Sequence, residues 1–209
     1  MGDDWNEMEN KPKILAFAGS LRKASYNKRI ARIVAEGATV AGAEVTFIDL
    51  NDYSLPVYNA DYHESGGFPE NAIKLQRTLN QHDGLIVSSP EYNGSLPGGL
   101  KNAIDWASRE SEEFALGQVF RGKYAAITTA SPGAFGGLRC LGHLRSVLSI
   151  LLVTVLPTEF AVAKAHTLFE GDDGEILDEK MKGLLLSLGA SLAETLIRHQ
   201  SGQSAKTSN

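Results

Sequence analysis

Cysteine is almost missing from this chain of 209 residues: Cys140 stands alone. A single thiol excludes an intramolecular disulfide framework and suits a reducing compartment. Long apolar runs are missing too, since the longest, around Val147 to Leu156, falls far short of the roughly 20 residues a membrane-spanning helix needs. Basic residues do not predominate. Lys and Arg number 20 against 25 Asp and Glu, for a net charge of −5, which argues against general nucleic-acid affinity. It leaves room for a phosphorylated small molecule held by one local loop. Neither G-x-G-x-x-G nor G-x-x-x-x-G-K-[ST] occurs, so the two common nucleotide-loop signatures are absent.

Other constellations are equally thin. His63, His82, His143, His166 and His199 are scattered without the spacing of a zinc helix motif, and no metal is expected. Cys140 falls on an apolar stripe, so a catalytic thiol is not expected. Glu91 and Asp105 have no spacing that favours hydrolysis. The start of the chain is polar and acidic, without the basic and then apolar pattern of a secretory signal, and the expected location is cytoplasmic. No repeat or linker is evident. The expected organisation is a polar tail over 1–12, one domain over 13–200, and a small polar, disordered tail over 201–209.

What is present is an alternation of elements. Lys13 to Gly19, Glu44 to Leu50, Gly84 to Ser89, Tyr124 to Thr129 and Leu151 to Leu156 read as five buried strands, the last closed by Pro157. Helical stripes lie between and after them: Ile30, Ile33, Val34, Ala38 and Ala41; a stretch from Glu70 to His82; Leu100, Ala103, Ile104 and Ala107; Leu141, Leu144, Val147 and Leu148; and Met181, Leu184, Leu185, Leu188 and Leu192 within Asp178 to His199. Asn51 to Pro69 reads as irregular. Five strands alternating with five helices predict an α/β fold, a parallel sheet covered on both faces and doubly wound.

In such sheets ligands bind beyond the carboxyl ends of the strands, so three loops matter. The first, from Gly19 to Asn27, leads straight into a helix, whose start suits a phosphate. Ser20, Ser25 and Asn27 add neutral donors and Arg22 a planar charged fork. A plain helix cap and a solvated arginine are the alternative. As a set, these residues suggest a mononucleotide. The second loop, Ser89 to Leu100, is stiffened by Pro90 and Pro97, and Tyr92 is placed to pack on a planar ring. The third, Ala130 to Gly137, carries Gly133, Gly136 and Gly137, which would let backbone approach a flat ligand. Trp106 reads either as core or as a contact to a partner subunit.

The segments G-S-L-R-K-A-S-Y-N and S-P-E-Y-N-G-S-L-P-G-G-L-K-N-A-I-D-W resemble the signature segments of the NADPH-dependent FMN reductase family, which includes quinone, chromate and azo-dye reductases. The resemblance extends from about Lys13 to Leu196. It implies a flavodoxin-like fold with strand order 2-1-3-4-5, noncovalent FMN, NADPH or NADH as hydride donor, a small-molecule electron acceptor, and a homodimer or homotetramer. By the same resemblance Ser20, Arg22, Ser25 and Asn27 hold the FMN phosphate. Pro90, Glu91, Tyr92 and Asn93 border the ribityl chain and ring, while Ser131, Gly133, Gly136 and Gly137 close the far edge. A flavodoxin-type electron carrier and a flavin-binding regulatory module are the rival readings.

Overall fold

Alternation along the first strand sets the layers of the molecule. In β1 (Lys13–Ala18), Ile14 and Ala16 join one apolar cluster, while Leu15 and Phe17 join another. Both sets are buried, because successive side chains of a strand point to opposite faces. The same division recurs in β3 (Gly84–Ser89), where Ile86 faces one way and Leu85 and Val87 the other. The strand is buried at every residue, as expected of a central parallel strand. The computed structural model describes residues 11–169, 171 and 174–207.

The remaining elements are α1 (Tyr26–Val40), β2 (Glu44–Phe47), a 3-10 turn (Leu50–Asp52), α2 (Ala60–Gly66), α3 (Glu70–Asn80), α4 (Gly98–Ala107), β4 (Tyr124–Ala130), α5 (Leu138–Ile150), β5 (Thr154–Val155), β6 (Phe160–Val162), a second 3-10 turn (Ala165–Thr167) and α6 (Glu179–Thr207). The sheet runs β2-β1-β3-β4-β5, all pairs parallel, with β6 also pairing β4. Helices α1 and α6 cover one face and α3, α4 and α5 the other.

The α1–α6 crossing depends on two glycines. A Cβ on Gly37 would lie 2.0 Å from the Leu186 carbonyl oxygen, and one on Gly189 would lie 1.8 Å from the Val34 carbonyl oxygen. The backbones therefore touch, closer than any side chain would allow.

Four differences from the sequence reading have physical causes. The fifth strand does not run from Leu151 to Leu156. Leu151 and Leu152 instead close α5, with N–H groups on Leu148 and Ser149 carbonyls, and Leu152 adopts φ 63. Pairing with β4 then slips by two residues between Tyr124–Thr154 and Thr128–Phe160, and the strand breaks around Pro157. Arg145 of α5 fills the break, donating to the Val155 and Leu156 carbonyls at 3.2 and 2.8 Å and to Glu159.

Second, β2 ends at Phe47 rather than Leu50. Third, the stretch from Asn51 to Pro69 contains the first 3-10 turn and α2. Trp106, fully buried, holds it: the indole Nε1 donates to the Pro56 carbonyl at 2.8 Å, and Tyr58, Tyr62, His63 and Phe68 meet its ring edge-on. Fourth, α6 continues to Thr207, so residues 201–207 of the expected disordered tail are helical. Extending an anchored helix adds a hydrogen bond per residue without a new nucleus. The remainder of that tail, and residues 1–10 of the expected amino-terminal one, lie outside the described residues.

Candidate active site

The three loops meet at the carboxyl edge of the sheet, and side chains from distant parts of the chain fasten them together. Asn27, in the first turn of α1, is the centre of this fastening. Its Oδ1 accepts from the Ser88 hydroxyl and the Ala130 N–H, both at 2.9 Å, and its Nδ2 donates to the Ala130 carbonyl at 2.9 Å. The amide thus joins the first loop to the ends of β3 and β4. It is buried and turned inward, with both amide atoms engaged by protein partners.

The first loop leaves Gly19, whose N–H donates to the Ser88 carbonyl at 2.9 Å. Its Cβ position would lie 2.7 Å from Leu100 Cδ2, so glycine lets α4 pack there. Ser20 and Ser25 are buried, and Ser20 Oγ accepts the Arg22 N–H at 3.3 Å. Ser25 stands at the N-cap of α1 in extended backbone yet makes no side-chain capping bond, and the first turn has no acidic residue. Among the described residues no side chain caps the N–H groups of this first turn. Arg22 is exposed and makes no ion pair among the described residues.

Two residues that sequence reading passed over brace this loop from the side. Asn51 Nδ2 donates to the Leu21 carbonyl at 2.8 Å, and Asp49 accepts from both Asn51 and Lys28, the latter at 2.5 Å. The buried Lys28 ammonium and the Asn51 donors hold the Asp49 carboxyl below its usual range despite partial burial, which alone would raise it. No local pattern links position 51 to position 21, so spacing offered no signal.

The second loop folds back as a tight turn. Tyr92 and Ser95 exchange backbone hydrogen bonds at 3.0 and 3.1 Å around Asn93 and Gly94, both at positive φ (51 and 80). That is the mirror-image turn for which Asn-Gly is the preferred pair. Ser95 Oγ also lies 2.9 Å from His143 Nδ1. Pro90 precedes Glu91, whose carboxylate does not point to solvent. It accepts the N–H groups of Arg139 and Cys140 at 3.0 and 3.2 Å and the Arg139 guanidinium at 2.7 Å. Burial would raise the Glu91 pKa, but the Arg139 and Cys140 donors outweigh it and hold the carboxyl below its ordinary value.

In the third loop, Ser131 Oγ accepts the Gly133 N–H at 3.1 Å. The Gly133 carbonyl takes the Lys164 N–H at 3.1 Å. The packing of the protein itself requires glycine at 136 and 137. A Cβ on Gly136 (φ 60) would lie 2.6 Å from the Ala161 carbonyl carbon, and one on Gly137 (φ 89) 2.9 Å from Thr129 Cβ. Gly133 has no such neighbour; its Cβ position is 3.4 Å from Ser131 Oγ.

Large apolar side chains stand exposed on all three loops. Leu21 is 50% exposed, Tyr92 48%, Phe135 67% and Leu138 56%. Arg139 places its guanidinium 5.5 Å from the Phe135 ring centre. Cys140 lies behind this rim, buried, with its thiol 3.4 Å from Ser89 Oγ, and burial pushes its pKa up. It is a packed thiol rather than a nucleophile. Among the described residues no cluster of His, Cys, Asp and Glu is arranged for a metal. An uncapped helix start flanked by hydroxyls and a free guanidinium, beside an apolar rim, fits an anionic group joined to a flat ring system.

The family model for NADPH-dependent FMN reductases matches residues 12–167. A quinone reductase of Escherichia coli K12 is 38% identical over 173 residues, covering 82% of this chain and 88% of its own. An NAD(P)H-dependent FMN reductase of Pseudomonas aeruginosa is 38% identical over 179 residues, covering 85% and 91%. Among solved structures, the flavoenzyme NAD(P)H:(acceptor) oxidoreductase FerB of Paracoccus denitrificans superposes with a TM-score of 0.72 at 27% identity, over 90% of this chain and 98% of its own. The flavodoxin-like sheet order, the three loops and the match over most of the chain lead to one conclusion: this chain belongs to the NADPH-dependent FMN reductase family.

Proposed function

We propose that this protein is an NAD(P)H-dependent, FMN-containing reductase that delivers reducing equivalents to a small-molecule acceptor such as a quinone. The observation that carries the reading is the open first turn of α1, where buried serine hydroxyls and a guanidinium with no ion pair among the described residues accompany a helix start that has no side-chain cap and no acidic residue. Ser20, Arg22 and Ser25 would hold the FMN phosphate, with Asn27 keeping their frame in place. Pro90, Tyr92 and Asn93 would border the ribityl chain and ring, with Glu91 fixing that loop through Arg139. Ser131, Gly133 and the backbone at Gly136 and Gly137 would close the far edge.

Bound FMN would supply the redox chemistry, hydride acceptance from a nicotinamide and delivery of reducing equivalents to the acceptor. The chain's own contribution is binding, orientation and an open face. Tyr92, Phe135 and Leu138 present apolar surface at the mouth, suited to a planar donor and then a planar acceptor in turn. Free flavin, chromate and azo compounds need the same open face; a quinone is preferred because the relatives named above include a quinone reductase. NADPH over NADH, a homodimer or homotetramer, and a cytoplasmic setting belong to the same proposal. No described helix is long and apolar enough to cross a membrane.

Flavin fluorescence titration tests the placement. FMN is expected to bind more tightly than riboflavin, which lacks the phosphate, and Arg22→Ala to narrow that gap while leaving riboflavin binding unchanged. Equal affinities of the wild type for FMN and riboflavin would contradict it.

A further inference from the structure

At the opposite end of the sheet, where β3 and β4 begin, Lys123 presents an anomaly. Among the described residues two lysines are buried, Lys28 and Lys123, at 9% and 8% exposure. Lys28 has a carboxylate at 2.5 Å. Lys123 has none within ion-pair distance among the described residues, and its Nζ donates only to the His82 carbonyl. With Asp83 acting on it only from beyond ion-pair distance, this buried ammonium is costly. Two of its three donors remain for something else.

Beside it lies a cavity of about 260 Å³, lined by His82, Asp83, Arg121, Lys123 and His199 among others. Arg121 is exposed and, among the described residues, makes no ion pair. One acid faces these cations. Asp83 Oδ2 accepts the Lys13 N–H at 2.8 Å and Gln200 Nε2 at 3.4 Å, and among the described residues no hydrogen bond reaches Oδ1. Six strand residues, about 20 Å of sheet, separate this end of β3 from the loops of the candidate active site.

We propose that this cavity is a site for inorganic phosphate in its monohydrogen form. Lys123 and Arg121 supply donors and positive charge to its oxygens. Asp83 accepts its single O–H, a bond that sulfate, with no proton at neutral pH, cannot make. Burial lowers the Lys123 pKa against the opposing charge of Asp83, and a bound anion opposes that shift further. The site is independent of the cofactor reading.

Thermal unfolding of the protein saturated with FMN, which keeps phosphate from the α1 loop, tests the inference at neutral pH and fixed ionic strength. Millimolar phosphate is expected to raise the Tm by on the order of 3 °C, and sulfate by clearly less. Lys123→Met, which retains the aliphatic stem, should abolish the phosphate response. Arg121→Gln, an exposed change, should diminish it. Equal responses to phosphate and sulfate, or a phosphate shift that persists in Lys123→Met, would overturn the proposal.

Discussion

Glu91 caps a helix that begins 47 residues further along the chain: its carboxylate receives the N–H and guanidinium of Arg139, at 3.0 and 2.7 Å, from the first turn of α5. The N-cap position itself is Gly137, which has no side chain to offer. An acid from the second loop therefore satisfies the start of the helix that follows the third, and two walls of the candidate site become one unit.

Glu91→Gln should weaken that unit. The expected loss is roughly 1 kcal/mol of stability, the usual scale for a helix cap, with weaker FMN retention. Because the folded Glu91 pKa is depressed, the wild-type contribution is complete above the ordinary carboxylate range and is lost as pH falls through the folded value. Urea unfolding of both proteins across that range checks the sign: their difference should shrink as the solution is acidified.

Asn27→Ala removes the amide that serves Ser88 and both backbone groups of Ala130. Leaving these buried groups unpaired is expected to cost about 1–3 kcal/mol. FMN affinity should fall as well, since the first loop loses its register against β4. Unchanged flavin affinity in a correctly folded variant would remove Asn27 from the positioning role.

The third loop offers a paired test. Gly136→Ala meets the Ala161 backbone and a left-handed φ, and should lower stability by more than the roughly 1–2 kcal/mol of the backbone conformation alone. Gly133→Ala meets only ordinary contact and should leave the Tm nearly unchanged. Any loss of FMN in Gly133→Ala then reports the ring itself, a reading that Gly136→Ala cannot give.

The layered fold was legible because buried parallel strands are short apolar runs and covering helices carry apolar stripes. Both signals are local. Leu151 to Val153 misled for the same reason: an apolar run reads as strand, although here it closes a helix and begins a turn. The loops could be found from strand ends and from Gly, Pro and Ser content. Their fastening could not, since Asn27 meets Ala130 across 103 positions and Glu91 meets Arg139 across 48. Sequence alone marks Asn27, Gly136 and Gly137 as expected cofactor contacts; the structure adds that Asn27 ties the first loop to β4 and that the two glycines accommodate β6 and β4.

Helix crossing gives a further test remote from the site. Gly189→Ala would drive its Cβ into the Val34 carbonyl, forcing α6 away from α1. Cooperative unfolding at a markedly lower Tm is expected, with flavin binding lost only in step with the fold. Circular dichroism and flavin fluorescence should therefore report the same midpoint.

The most direct test of the central claim is an absorbance spectrum of the protein after FMN addition and gel filtration, followed by anaerobic NADPH. Retained flavin bands that bleach rapidly, and return when a quinone is added, are the expected result. Retained flavin that NADPH leaves oxidised would contradict the reductase and point to an electron carrier or a flavin-binding regulator.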